Sequence, residues 1–259
     1  MAEVVKWKKE DGIAVVTIDN PPLNVLSKQV TSDLKEITEN IREDDEVVCV
    51  ILTGAGDKAF MAGADIKEFP ELMGNPDMKN YVMNSHHMLQ ELEDLPKPTI
   101  ALLNGMTFGG GCELALTCDM RIAEAHAQVG LPEVKLGLFP GGGGTQRLPR
   151  LVGTAKAKEL MFSGEPINAE EAEKIGLVNK VVPTGRGMEM ARQAASHMAD
   201  QSLQALSRIK KAVNEGIEMN LSDGLEKEAD LFVDVFQTED VKEGVNAFIE
   251  KRKPNFKHR

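Results

Sequence analysis

The sequence predicts an α/β core over residues 1–190, with largely parallel strand pairing, followed by an essentially helical region over 191–259. Three observations predict it. Apolar residues alternate on both sides of Glu10-Asp11-Gly12. Strand-like and helix-like stretches then succeed one another, which is the pattern of parallel sheets joined by helices. From about Ala155 helical periodicity takes over.

In chain order, Val4 to Lys9 and Ile13 to Ile18 form a β-hairpin, because Asp-Gly supplies the positive φ of a tight turn. Asn20-Pro21-Pro22 ends it. Ser27 caps a helix to about Arg42, with Val30, Leu34, Ile37 and Ile41 on one stripe. Val47 to Leu52 is an unbroken apolar run and reads as a buried strand. Asp77 to Leu95 is helical, Pro98 to Leu103 a strand, and Gly109 to Cys118 a helix opened by three glycines. Further helices follow at Ala169 to Ile175, Gly187 to Ala199, Leu203 to Glu215 and Leu221 to Phe236. Met73, Met78, Met83 and Met88 admit two roles, unbranched thioethers adapting to a bound apolar ligand or filling core, of which core filling is the expected one.

A chain of 259 residues with 42% hydrophobic and 27% charged residues can bury a sizeable core and is long for one domain. Its formal charge of -11 repels a phosphate backbone, so nucleic acid is not an expected partner. Any polyanionic ligand must meet a local cluster of Lys or Arg. Cys49, Cys112 and Cys118 are odd in number and lack a CxxC pair or a matching His cluster, which predicts a reducing compartment and no metal site. The first residues interleave charge with apolar side chains, unlike a secretory signal, and no stretch reaches the length of a membrane span.

Gly109-Gly110-Gly111-Cys112-Glu113 admits two readings. One is a tight strand-to-helix turn. The other is a set of unobstructed N–H groups at the positive end of a helix dipole, where a developing negative charge is stabilised. A Rossmann fingerprint is excluded because Leu114 stands where its last glycine belongs, and a P-loop because Gly144 is followed by Thr-Gln-Arg. Glu113 is either an acid favoured near a helix start or, among Cys112, Leu114, Ala115 and Leu116, a buried carboxyl with a raised pKa; it is expected to lean over Gly110. Glu133, after Pro132, is either solvated or the second member of an acid pair. Two acids are what hydration requires, one to activate water and one to protonate carbon.

KAFMAGADIKEF, NGMTFGGGCELALTCDMRIA, LPEVKLGLFPGGGGTQRLPRLVG and EKRKPNF, in this order and spacing, resemble the crotonase, or enoyl-CoA hydratase/isomerase, family and most of all its short-chain hydratases. The resemblance implies a spiral of ββα units with a helical C-terminal trimerisation region, assembled as homotrimers or hexamers. It implies an acyl-CoA thioester substrate, no cofactor, a cytoplasmic setting and a role in fatty-acid β-oxidation or related catabolism. By motif position the backbone N–H groups of Ala64 and Gly110 form an oxyanion hole, and Glu113 and Glu133 are the catalytic acids. Gly141 matches a backbone donor near the reacting water. The Ala62 carbonyl meets the adenine, while Ala64, Asp65, Ile66 and Lys67 line the pantetheine. Lys58, Lys67 and a neighbouring subunit's Lys251 face the CoA phosphates. Met61 and Phe108 are larger than the family pattern at their positions, so an altered pocket shape is expected.

Two rivals differ in their requirements. A Δ3,Δ2-enoyl-CoA isomerase of the same fold needs one proton shuttle and generally lacks the Glu113 equivalent. A non-catalytic, RNA-binding member would rely on the basic run Lys251 to Arg259, against the acidic balance of the whole.

Overall fold

A computed structural model describes residues 3–259; Met1 and Ala2, the start of the N-terminal segment read above, lie outside the described residues. The hairpin comes first: β1 (Val5–Glu10) and β2 (Ile13–Ile18) pair antiparallel with Glu10 opposite Ile13, and both turn residues, Asp11 and Gly12, have positive φ. α1 (Lys28–Glu43) starts at the expected cap, where the Ser27 hydroxyl accepts from Val30 N–H at 3.3 Å. Its stripe Val30, Leu34, Ile37 and Ile41 is buried.

From here the chain winds in turns that each contribute one strand to each of two sheets. The first turn holds β3 (Cys49–Gly54) and β4 (Ala59–Ala62), then a 3-10 turn Ile66–Glu68, the short α2 (Phe69–Leu72) and α3 (Met78–Glu93). The second holds β5 (Thr99–Leu103), β6 (Met106–Phe108) and α4 (Gly110–Thr117). The third holds β7 (Met120–Glu124), β8 (Gln128–Gly130), a 3-10 turn Pro132–Leu136, α5 (Gly144–Val152) and α6 (Thr154–Ser163). Then come β9 (Ile167–Asn168), α7 (Ala169–Lys174), β10 (Lys180–Val182) and α8 (Gly187–Ala199). α9 (Leu203–Gly216), α10 (Leu221–Phe236) and α11 (Glu239–Glu250) complete the chain.

The larger sheet runs β1-β2-β3-β5-β7-β10 and the smaller β4-β6-β8-β9. Beyond the hairpin the larger sheet is parallel throughout, and so is β4-β6-β8. Its central strands are buried end to end, as parallel strands covered on both faces must be. One face carries the main core, which includes α1, Phe60, Met61 and the apolar residues of α4. The other is closed by α8 through Ala191 and Ala195, so a boundary at residue 190 falls inside a helix that packs on the sheet.

The expectation for the methionines needs correction. Of the four only Met88 is buried; Met73, at 77% exposure, and Met78 and Met83 are exposed in the first part of the α2–α3 segment. Met61, by contrast, is fully buried in the main core, so its bulk is accommodated there. Among the described residues no helix is long and apolar enough to cross a membrane, and no group of three His, Cys, Asp or Glu is placed to hold a metal ion.

Candidate active site

Parallel register gathers the site. In the smaller sheet Ala62 lies opposite Phe108, and Phe108 opposite Gly130, so three neighbouring strands end level with one another. Neighbouring strands are about 4.8 Å apart. Whatever follows each strand by two or three residues is therefore brought close to its counterparts: Ala64 after β4, Gly110 after β6 and Glu133 after β8. Ligands of open α/β sheets bind at this carboxyl end of the strands.

The amide of Ala64 is aimed by its neighbour. Leu26 N–H donates to the Gly63 carbonyl at 2.8 Å, and Asp65 N–H donates to the Leu26 carbonyl at 2.9 Å. A trans peptide points its C=O and N–H in opposite directions, so Ala64 N–H faces away from Leu26. The same logic orients Gly110, because the Gly109 carbonyl is taken by Glu113 N–H at 2.9 Å. Neither Ala64 N–H nor Gly110 N–H has a backbone acceptor among the described residues. A Cβ placed on Gly110 would stand 3.7 Å from the Ala64 nitrogen, so the two free amides adjoin. This turn needs glycine at 109, whose φ of 52° and ψ of -124° are costly for any residue with a side chain.

Glu113, in the first turn of α4, is 4% exposed. Its Oε1 accepts from Gly142 N–H at 2.7 Å and from Gly144 N–H at 2.8 Å. The carboxyl is thus held by the PGGGG loop and not by the Gly110 turn over which it was expected to lean. The loop can come this close only because it is bare: a Cβ on Gly142 would lie 2.5 Å from Glu113 Oε2. Burial raises the Glu113 pKa, while the two amides and, more weakly, the charge of Arg147 work against the rise.

Glu133 lies in the 3-10 turn that follows β8. Its Oε1 would be 3.1 Å from a Cβ on Gly109, which sets it beside the amide pair. Its Oε2 is buried without a hydrogen-bond partner among the described residues, so the solvated reading of this side chain does not hold. Burial, with a contribution from the charge of Glu113, pushes its pKa up to about 7. That shift has a stability consequence. Starting from the ordinary value of 4.5, the unfolded chain loses this proton first, so stability falls as pH rises until about 7 is passed. Glu133→Gln abolishes the loss, and its melting temperature should exceed that of the parent at about pH 8 but not at about pH 4, by the equivalent of about 1 kcal/mol after allowance for partial exposure.

The other residues marked in the sequence fall around this centre. Asp65 caps the 3-10 turn, its Oδ1 accepting from Lys67 N–H at 3.1 Å, while Ile66 and Lys67 are exposed. Ala62 closes β4 and is half-buried. Gly141 is exposed and immediately precedes the loop amides that hold Glu113. Lys58, just before β4, is exposed; so is Lys251, which ends α11 in a left-handed conformation. Sequence reasoning missed Leu26, Gly142 and Gly144. Four consecutive glycines between Pro140 and Thr145 were the signal for the latter two; nothing local marks Leu26.

Fold and site together define an α/β protein in which a half-buried carboxyl adjoins two free amides at the ends of parallel strands, with a second, buried carboxyl near enough to act on the first through its charge. The chain belongs to the enoyl-CoA hydratase/isomerase family, whose pattern it matches over residues 8–259. It is 44% identical over 254 residues to the short-chain-enoyl-CoA hydratase of Clostridium acetobutylicum, covering 97% of each chain. It is 42% identical over 255 residues to the crotonyl-CoA hydratase of Syntrophomonas wolfei, covering 98% of each. Among solved structures, the enoyl-CoA hydratase from Bacillus anthracis superposes with a TM-score of 0.94 at 39% identity, covering 99% of this chain and 100% of that one.

Proposed function

We propose that this protein catalyses the reversible syn addition of water to a trans-2-enoyl-CoA, giving the 3-hydroxyacyl-CoA. The observation that carries the reading is that Glu133 stands beside the adjoining amides of Ala64 and Gly110 and close enough to the buried Glu113 to feel its charge. With the thioester carbonyl on those two amides, the acids flank its Cα–Cβ bond. Glu113 takes a proton from water as its oxygen bonds to C3, and Glu133 gives a proton to C2. The thioester oxygen bears the intermediate negative charge, and an oxyanion-hole donor of this kind contributes about 3 to 4 kcal/mol. The elevated pKa of Glu133 keeps a proton available near neutrality, which is what the acid of the pair needs. The proton gained by Glu113 returns to Glu133 by way of solvent before the next turnover, so atoms balance with water alone; no oxidation state changes, so no redox cofactor is called for, and the two amides do the polarising a metal would otherwise do.

The names of the two relatives support a short acyl chain, with crotonyl-CoA as the natural probe. Lys58, Lys67 and a neighbouring subunit's Lys251 are assigned to the CoA phosphates, Ala62 to the adenine and Gly141 to the reacting water. We assign 191–259 to assembly as a homotrimer or a dimer of trimers. What supports this is the set of exposed large apolar side chains along α9 to α11, among them Ile217, Leu221, Phe232 and Phe248. We place the reaction in acyl-CoA catabolism in the cytoplasm.

Mixing the protein with crotonyl-CoA should bleach the conjugated-thioester absorbance at an enzymatic rate. A protein that leaves that absorbance unchanged while converting a 3-enoyl-CoA to the 2-enoyl isomer would be an isomerase, and the hydratase reading would be discarded.

A further inference from the structure

The loop that holds Glu113 is itself held. Arg147, in the first turn of α5, turns its guanidinium back over the glycines: Nη1 donates to the Gly142 carbonyl at 3.3 Å. Nε and Nη2 both donate to Glu93 Oε2 on α3, at 2.9 and 2.6 Å, and Nη2 also reaches Gln90 Oε1 at 3.5 Å. The pair is largely shielded, with the Arg147 side chain 15% exposed. A Cβ on Gly143 would collide with Arg147 Nη1, so the guanidinium lies directly on the loop. Gly142 is therefore gripped at both polar atoms, its carbonyl by Arg147 and its N–H by Glu113.

We propose that Arg147, anchored by Glu93, is a positioning residue for the hydration: it fixes the Gly142–Gly144 turn that aims Glu113 at the water and sets a positive charge on the loop that holds that carboxyl. The inference rests on Glu113 being the base of the proposed reaction. Surface ion pairs contribute little, but this one is partly desolvated and bidentate from the arginine side, the geometry in which arginine and lysine are not interchangeable.

The charges around Glu113 come from few elements. α5 brings Arg147, and the turn after β8 brings Glu133, whose negative charge opposes it. α3 brings Glu93 against the guanidinium and His86 beside Gly143. α4 adds the buried Cys112 thiol, while β4 and β6 carry no titratable side chain. Among these groups Arg147 supplies the positive charge that acts on the Glu113 carboxyl.

Two variants separate geometry from charge. Arg147→Gln removes both, and should lower kcat on crotonyl-CoA by roughly 10- to 100-fold with KM little changed, since small misplacements of a catalytic group act on turnover. The acidic limb of its pH–kcat/KM profile should move to higher pH. Arg147→Lys keeps the charge and loses the fork, so kcat should fall while the acidic limb stays in place; it also serves if the Gln variant fails to fold. Titration of 13C-labelled Glu113, assigned through Glu113→Gln, gives a readout independent of turnover, and its midpoint should rise in Arg147→Gln only. Unchanged kcat and an unmoved Glu113 midpoint in Arg147→Gln overturn the proposal while leaving the hydratase reading intact. Loss of hydration in the parent itself, with the midpoint still shifting, would instead sink the reaction and keep the Arg147–Glu113 coupling.

Discussion

Glu113→Gln and Glu133→Gln should each lower kcat for hydration of crotonyl-CoA by about 10²- to 10⁴-fold, the usual contribution of a positioned acid or base. Both are close to isosteric and neither should unfold the protein. For Glu113 the amide oxygen can still accept from Gly142 and Gly144 N–H, so the loop should keep its place while the proposed base is removed. For Glu133 the change removes the proposed proton donor, whose Oε2 has no hydrogen-bond partner to lose among the described residues. The pH profile should distinguish them. The parent should lose activity above about 7 as Glu133 gives up its proton; residual activity of Glu133→Gln should lack that alkaline limb, whereas Glu113→Gln should retain it, moved to lower pH by loss of the Glu113 charge. Steady-state rates across pH check both statements. Hydration within a few-fold of the parent in both variants would remove these carboxyls from the chemistry.

Gly142→Ala should reduce kcat by about 10²-fold, the cost of displacing a reacting group by about 1 Å. The added methyl would stand 2.5 Å from Glu113 Oε2, well inside contact distance. Something must yield, and both candidates are functional. Either the carboxyl is pushed from its place on the loop, or the loop retreats and takes two amide donors from Glu113. The Gly142 site is at the edge of the core, so most of the effect should fall on turnover and little on the melting temperature. A kcat within threefold of the parent, at unchanged KM, would show that the loop tolerates a side chain and that Glu113 is not held as described.

The fold was legible where local chemistry and periodicity were strong. Asp11-Gly12 set the hairpin, Ser27 set the start of α1, and the unbroken apolar run ending at Leu52 gave a buried strand, though the ladder itself begins at Cys49. The smaller sheet could not be read. Met106–Phe108 and Gln128–Gly130 are three-residue strands, too short to show a period, and their pairing is decided by neighbours in space. The methionines of the α2–α3 segment were misread for a related reason: spacing shows which residues share a face but not whether anything covers it. At the site, Glu113 was marked by its apolar neighbours and Glu133 only through the company of the other motifs. The support behind them was invisible because it is long-range. Arg147 reaches Glu93 across 54 positions, and Leu26 clamps Gly63 through a single bridge.

The level ends of β4, β6 and β8 make the reaction centre a matter of counting. Side chains and peptide directions reverse at every residue along a strand. Deleting one residue between Ala59 and Gly63 would swing the Ala64 amide to the opposite side of the sheet, leaving composition and length of the protein almost untouched. Adding several residues near Gly74, where a Cβ would meet nothing, changes no strand end at all. Descendants of such a chain are free to vary in what the outlying segments recognise, but not in the spacing of the three strands that deliver the acids and amides.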